Sequence, residues 1–247
     1  MERIVEICCG SYYDALQAYL GGSKRIELNS ALHLGGLTPS MATLKLVKQK
    51  TDLNVICMVR PRGAGFYYSD EDFEVMLEDA KLLMENGADG LAFGILDEHG
   101  NIDVKRNQAL IDIIKQHHGV AVFHRAFDCV EDPFKAIELL IQLGVDRLLT
   151  SGQQDKAMQG KDLIRSLQEK YGDQIEILAG SGVNALNAKE LMEYTHISQV
   201  HSSCKDWLND STTSSKYVSY AYGPSGHEND YDVVSRKLVE NIVESIQ

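Results

Sequence analysis

Apolar residues fall in eight short runs along the chain, and several of these runs stop abruptly on charged or hydrogen-bonding residues. Ile4–Cys9 carries Glu6 and ends on Cys8-Cys9. Arg25–Leu28 carries Glu27 and meets Asn29. Val55–Val59 runs into Arg60-Pro61-Arg62-Gly63, and Val120–Phe123 into His124-Arg125-Ala126-Phe127-Asp128. Between the runs, apolar positions recur at helical spacing: Phe73, Leu77, Ala80 and Met84 follow Ser69-Asp70-Glu71-Asp72, where a serine can cap and acids meet the positive end of a helix dipole. Asp132-Pro133 opens another helix with Phe134, Ile137 and Ile141, and Gly144 ends it. The pattern predicts strands at Ile4–Cys9, Arg25–Asn29, Asn54–Arg60, Asp89–Phe93, Val120–His124, Asp146–Ser151, Ile175–Ala179 and Ile197–His201, and a last helix carrying Val234, Leu238, Ile242 and Ile246. Eight strands alternating with helices indicate an α/β fold, a (β/α)8 TIM-type barrel forming one domain over residues 1–247. A doubly wound open sheet is the alternative, but no Gly-x-Gly-x-x-Gly follows the first strand. A polar insert at about 205–232, with Trp207, Tyr217, Tyr220 and Tyr222, interrupts the pattern after the eighth strand. It reads as a lid over the barrel mouth, a dimer contact or a disordered surface loop.

An apolar strand has no folding reason to finish on arginine or histidine, so polar strand ends that converge on one mouth mark a site. Strand side chains alternate between faces. If Glu6 points inward, so does Cys8, and the same rule turns Glu27 and Asn29, Met58 and Arg60, His124 and His201 toward the interior. Because a buried charge needs a partner, Glu27 is expected to pair with Arg60. Gly180-Ser181-Gly182 ends the seventh strand and Asn184 can cap the helix after it, which offers backbone N–H groups to an anion. His201-Ser202-Ser203 adds hydroxyls at the adjacent strand end. These residues support a small-anion or phosphorylated-metabolite site. In it Glu27 or His124 is the acid/base group, Asp128 orients His124 or Arg125, and Arg60, Arg62, Arg125, Gly180, Ser181, Gly182, His201 and Ser202 bind the ligand. A divalent ion on Glu6, Glu27 and His124 is a variant of this reading.

Composition narrows the choices. Of 247 residues, 44% are hydrophobic, enough for a sizeable core, and the formal charge of -12 argues against a nucleic-acid or anionic-membrane surface. No charged-then-apolar leader opens the chain and no apolar run approaches the ~18 residues of a membrane span. Five cysteines without a CxxC spacing fit free thiols in a reducing cytoplasm. Cys8 and Cys9 are neighbours on a strand and face opposite ways, so they do not easily share one ion within one chain. Cys204 follows the eighth strand, which adjoins the first in a closed barrel, so a Cys8–Cys204 metal pair is geometrically allowed.

Glu6-Ile7-Cys8-Cys9, Arg25-Ile26-Glu27-Leu28, Gly35-Gly36-Leu37-Thr38-Pro39-Ser40, Arg60-Pro61-Arg62-Gly63, Phe123-His124-Arg125-Ala126-Phe127-Asp128, Leu149-Thr150-Ser151-Gly152 and His201-Ser202-Ser203 occur in this order. Together they resemble the CutC family, named for copper homeostasis. The resemblance implies a β/α barrel, a cytoplasmic protein that handles Cu(I), and a metal-binding thiol at Cys8. Where that family's second proposed thiol would stand, this sequence has Asn29. A homo-oligomer is expected, with a copper ion or a small anion as ligand.

Overall fold

The computed structural model describes residues 2–247. Eight parallel strands close into a barrel in sequence order: β1 (Ile4–Cys9), β2 (Arg25–Leu28), β3 (Asn54–Met58), β4 (Gly90–Phe93), β5 (Val120–Phe123), β6 (Arg147–Thr150), β7 (Glu176–Ala179) and β8 (Gln199–Ser202). β8 returns to β1 with Glu6 opposite His201, and β2 sets Glu27 opposite Cys8. The helices are α1 (Tyr12–Leu20), α2 (Met41–Lys50), α3 (Asp70–Glu85), α4 (Val104–Gln116), α5 (Pro133–Leu143), α6 (Lys161–Tyr171), α7 (Ala188–Thr195) and α8 (Arg236–Ser245). Their starts follow local chemistry. Ser11, Ser40, Ser69, Asp103 and Asp132 each accept a backbone N–H of the first turn. Gly144 ends α5 at φ 87°, a left-handed position open to glycine.

The apolar interior comes in two parts. A large shell lies between strands and helices, where Ile7, Cys9, Ile26, Leu28, Cys57, Phe93 and Phe123 meet Ala15, Leu44, Met76, Leu110, Ile137, Ile164 and Ile242. A second, small cluster fills one side of the barrel itself: Ile56 and Met58 of β3, Ala92 of β4 and Val122 of β5. The other side holds Glu6, Arg25, Arg147 and Gln199, all buried, together with Leu149 and Leu178.

The predicted strands match within one or two residues. Three expectations are corrected. The segment 205–232 is not structureless. It begins with β9 (Lys205–Asn209), which pairs antiparallel with β10 (Asp230–Val234). Val234 therefore ends a strand, and the last helix buries Val239 and Ile242, leaving Leu238 exposed. The helix after β7 starts at Ala188 with Asn187 at its cap, while Asn184 uses its carbonyl Oδ1 to accept from Leu186 in the preceding turn. The arm is tied down at its base, where Asp14 accepts the Val234 N–H at 2.8 Å and the Gly10 N–H at 2.9 Å.

Candidate functional site

A cavity of about 340 Å³ opens at the carboxyl ends of the strands. Its lining includes Cys8 and Glu27 of β1 and β2, His201 and Ser203 beside them at β8, and Met58, Arg60, Phe66 and His124 along the β3 to β5 side. Arg125, Leu149, Ser181 and Gly182 complete the rim. The expected convergence of Cys8, Glu27, Arg60, His124 and His201 on one mouth is what the geometry shows.

Beneath His201 lies a buried ionic floor. Glu6 Oε2 is 2.7 Å from Arg25 Nε and 3.9 Å from Arg147 Nη1; the closer contact is an ion pair that is not aligned as a hydrogen bond. Glu6 Oε1 is 2.9 Å from His201 Nδ1. Arg25 donates to Gln199 at 2.6 Å, and Arg147 donates to Glu176 at 2.7 Å. Burial alone would raise the Glu6 pKa, but Arg25, His201 and Arg147 outweigh it and hold the carboxyl down to about 2. For His201, burial disfavours the charge. Contact with Cys8 and Glu6 and the field of Glu27 reverse that and lift its pKa well above the usual imidazole value. Sequence reasoning missed Arg25 and Arg147, although Arg25 lies two residues before Glu27 and so shares its face.

On this floor stand Cys8, Glu27 and His201, whose ligand atoms all lie within 4.8 Å of one another. Asn29 donates to Glu27 Oε2 at 2.9 Å and to Cys8 Sγ at 3.6 Å, so the residue standing where a second thiol was sought holds both groups in place. Glu27 Oε1 is buried with no partner. Burial raises the Glu27 and Cys8 pKa values. Gly36, at φ 88°, makes room for Asn29: a Cβ there would stand 2.4 Å from Asn29 Oδ1.

The opposite wall has a different character. His124 is buried, and its Nδ1 accepts the Ala126 N–H at 3.2 Å. Burial, reinforced by the Arg60 charge, pushes its pKa down to about 3, so it is a neutral imidazole. Gly94 gives the ring its space, since a Cβ there would lie 2.5 Å from His124 Nδ1. Arg60 does not pair with Glu27. Its Nη1 donates to the carbonyls of Leu34 and Gly36, and its Nη2 to that of Ala64, while Phe66 lies 5.2 Å beneath the guanidinium. The loop carbonyls bend inward and satisfy the guanidinium where a carboxylate was expected.

Several expected ligand residues stand elsewhere. Arg62 pairs with Asp72 at 2.8 Å on α3 and does not line the cavity. Asp128 leaves His124 alone. It pairs with Arg125 and accepts from Thr150, Ser151 and Gln153, which pins the loop after β6. Gly180 lies behind Leu149 and His201, and Ser202 faces outward to donate to the Val183 carbonyl, so Ser203 lines the cavity in its place. Cys204 belongs to the outer shell, with Ser202 Oγ at 3.5 Å, and shares no site with Cys8. A divalent ion on Glu6, Glu27 and His124 is likewise not supported, because Glu6 is spent on the floor and His124 is on the other wall. No residue of 205–232 lines the cavity, so the arm is not a lid over it.

Among the described residues no helix is long and apolar enough to cross a membrane. The CutC family model matches residues 3–206. The chain is 46% identical to a CutC family protein of Treponema denticola over 98% of both chains. It is 40% identical to the human copper homeostasis protein cutC homolog, over 93% of this chain and 83% of that one. The solved structure of a protein described as a copper homeostasis protein CutC, from Streptococcus agalactiae, superposes with a TM-score of 0.77 at 31% identity, over 81% of this chain and 98% of that one. With the barrel, the ordered motifs and these likenesses in agreement, the chain belongs to the CutC family.

Proposed function

We propose that this protein takes part in copper homeostasis by holding Cu(I) at the barrel mouth on Cys8 and His201, with Glu27 beside them. The observation that carries this reading is the Cys8–Glu27–His201 cluster, one of whose carboxylate oxygens is buried and unpartnered. A thiolate and an imidazole suit Cu(I), and two such donors are enough for its low coordination number. His201 can offer Nε2 because Glu6 occupies Nδ1. A single thiol, where two would bind more tightly, favours an ion that is passed on rather than stored. The reading places the protein in a reducing cytoplasm, where Cys8 stays free. It treats residues 1–247 as one domain, and it uses the exposed Tyr217 and Tyr220 of the arm as a contact between copies.

A competition titration against a Cu(I) chelator under reducing conditions tests the site. Wild type is expected to bind one ion, and Cys8→Ser to weaken binding at least about tenfold, since losing even an outer-shell partner of a ligand typically costs that much. Cys204→Ser should change nothing. Equal affinity in wild type and Cys8→Ser would sink the proposal.

A further inference from the structure

The wall that faces the thiol carries groups the copper reading leaves idle, and they are all donors. His124 accepts a backbone N–H on Nδ1, so its single proton sits on Nε2, and that Nε2–H is buried without a partner on a side chain that lines the cavity. Arg60 is 5% exposed and keeps a buried Nε without a partner. Its other contacts are neutral carbonyls, so its positive charge has no carboxylate counter-ion among the described residues. Arg125, at the rim, gives Nε to Asp128 and Nη2 to Ser151 and leaves Nη1 unused. Ser181, at φ 80°, and Gly182, at φ 71°, turn the chain at the end of β7, beside the gap between the seventh and eighth strands where barrels of this kind commonly seat phosphate. Among the described residues Glu27 is the one acidic side chain that lines the cavity, and it is held by Asn29 and Cys8 rather than by these groups.

A buried cation with no counter-charge is costly unless something completes it. A buried donor left unmatched adds to that cost. Both costs vanish if an oxyanion enters, because its oxygens accept from Arg60 and His124 at once and meet Arg125 at the rim. The cavity volume, about 340 Å³, suits a small molecule rather than a polymer end. We infer that the Arg60–His124–Arg125 wall is a binding subsite for a small oxyanion, the carboxylate or phosphate group of a low-molecular-weight compound. The subsite uses neither Cys8 nor His201, so it stands or falls independently of the copper site.

The test uses the metal-free full chain, with inorganic phosphate and succinate as probes. Two readouts are followed, thermal stability and the ¹⁵N resonance of His124 Nε2. Expected is a saturable shift of that resonance together with a rise in melting temperature by mass action. His124→Phe or Arg125→Gln should weaken binding by on the order of tenfold to a hundredfold, the loss of one charge-assisted hydrogen bond. Cys8→Ser should leave it unchanged. Arg60 also anchors the loop carbonyls of Leu34, Gly36 and Ala64, so its removal can disturb folding and the other two variants carry the test. Saturation by phosphate alone identifies a phosphoryl ligand, by succinate alone a carboxylate, and by both a general oxyanion pocket. No saturable shift with either probe at millimolar concentration, or binding that both variants leave unchanged, overturns the inference.

Discussion

The two histidines at the mouth are both buried, yet their pKa values move in opposite directions, and the difference lies beneath them. His201 stands on Glu6, Arg25, Arg147 and Gln199. His124 stands at the end of β5, on the side where Ile56, Met58, Ala92 and Val122 fill the barrel, and its nearest charge is a cation. One side of the interior carries the buried ionic cluster, with Leu149 and Leu178 among it, and the other is hydrocarbon. The same residue type therefore has its charged form favoured by a carboxylate on one wall and is a neutral hydrogen-bond donor on the other.

The strongest way to break the contrast is to neutralise the ionic half. Glu6→Gln leaves Arg25, Arg147 and His201 without their shared carboxylate. Denaturant unfolding at neutral pH should show a loss of about 3–5 kcal/mol, the usual result of stranding a buried charge. A loss under about 1 kcal/mol would mean the floor is solvated rather than buried.

A second experiment reads the hydrocarbon half by pH. His124 has a folded pKa of about 3 against an ordinary 6.5, so the unfolded chain takes up the extra proton between these values. Stability from this group is complete above pH 6.5 and is lost as the pH falls toward 3. His201 has the reverse sign: its contribution is complete below its ordinary value and is lost as the pH rises through its raised one. Glu6, held at about 2, adds its own loss below pH 4.5. Unfolding curves between about pH 4 and 7 should therefore fall less steeply for His124→Phe than for wild type, by a few kcal/mol at most. Parallel curves would show that folding does not depress the His124 pKa.

The smallest change sharpens the ionic wall. Asn29→Cys sets a second thiol next to Cys8 without touching the floor, given the present 3.6 Å contact. Cu(I) affinity should rise by more than the roughly ten- to hundredfold that outer-shell partners are typically worth, while phosphate or succinate affinity stays as in wild type. Unchanged copper affinity would place the ion elsewhere.

Much of this arrangement was legible in the sequence. Arginine or histidine at the end of an apolar run has no packing role, and alternation from Glu6, Met58 and Gln199 puts Cys8, Arg60 and His201 on the inside. What stayed hidden depends on contacts that no spacing encodes. Arg60 finds carbonyls of a loop more than twenty residues away in place of Glu27. Arg62, only two residues on, leaves for α3. Ser202 and Ser203 exchange roles because β8 runs one residue further than its apolar pattern suggests. The arm after β8 was unreadable as strands because Trp207, Tyr231, Val233 and Val234 are scattered among acids, and only the cross-strand pairing of Trp207 with Asp232 and of Val233 with Asp206 sets the two segments in register.

The ionic floor also governs traffic. Because Glu6 and its two arginines plug the barrel below His201, the mouth cavity is a cul-de-sac with a single door. Whatever enters by that door must leave by it, so an ion cannot be fed in at one end and drawn off at the other. Under the proposed Cu(I) reading, exchange then requires the acceptor to come to the rim and take the ion by direct ligand substitution, and an anion seated against Arg60 and His124 would share that one doorway.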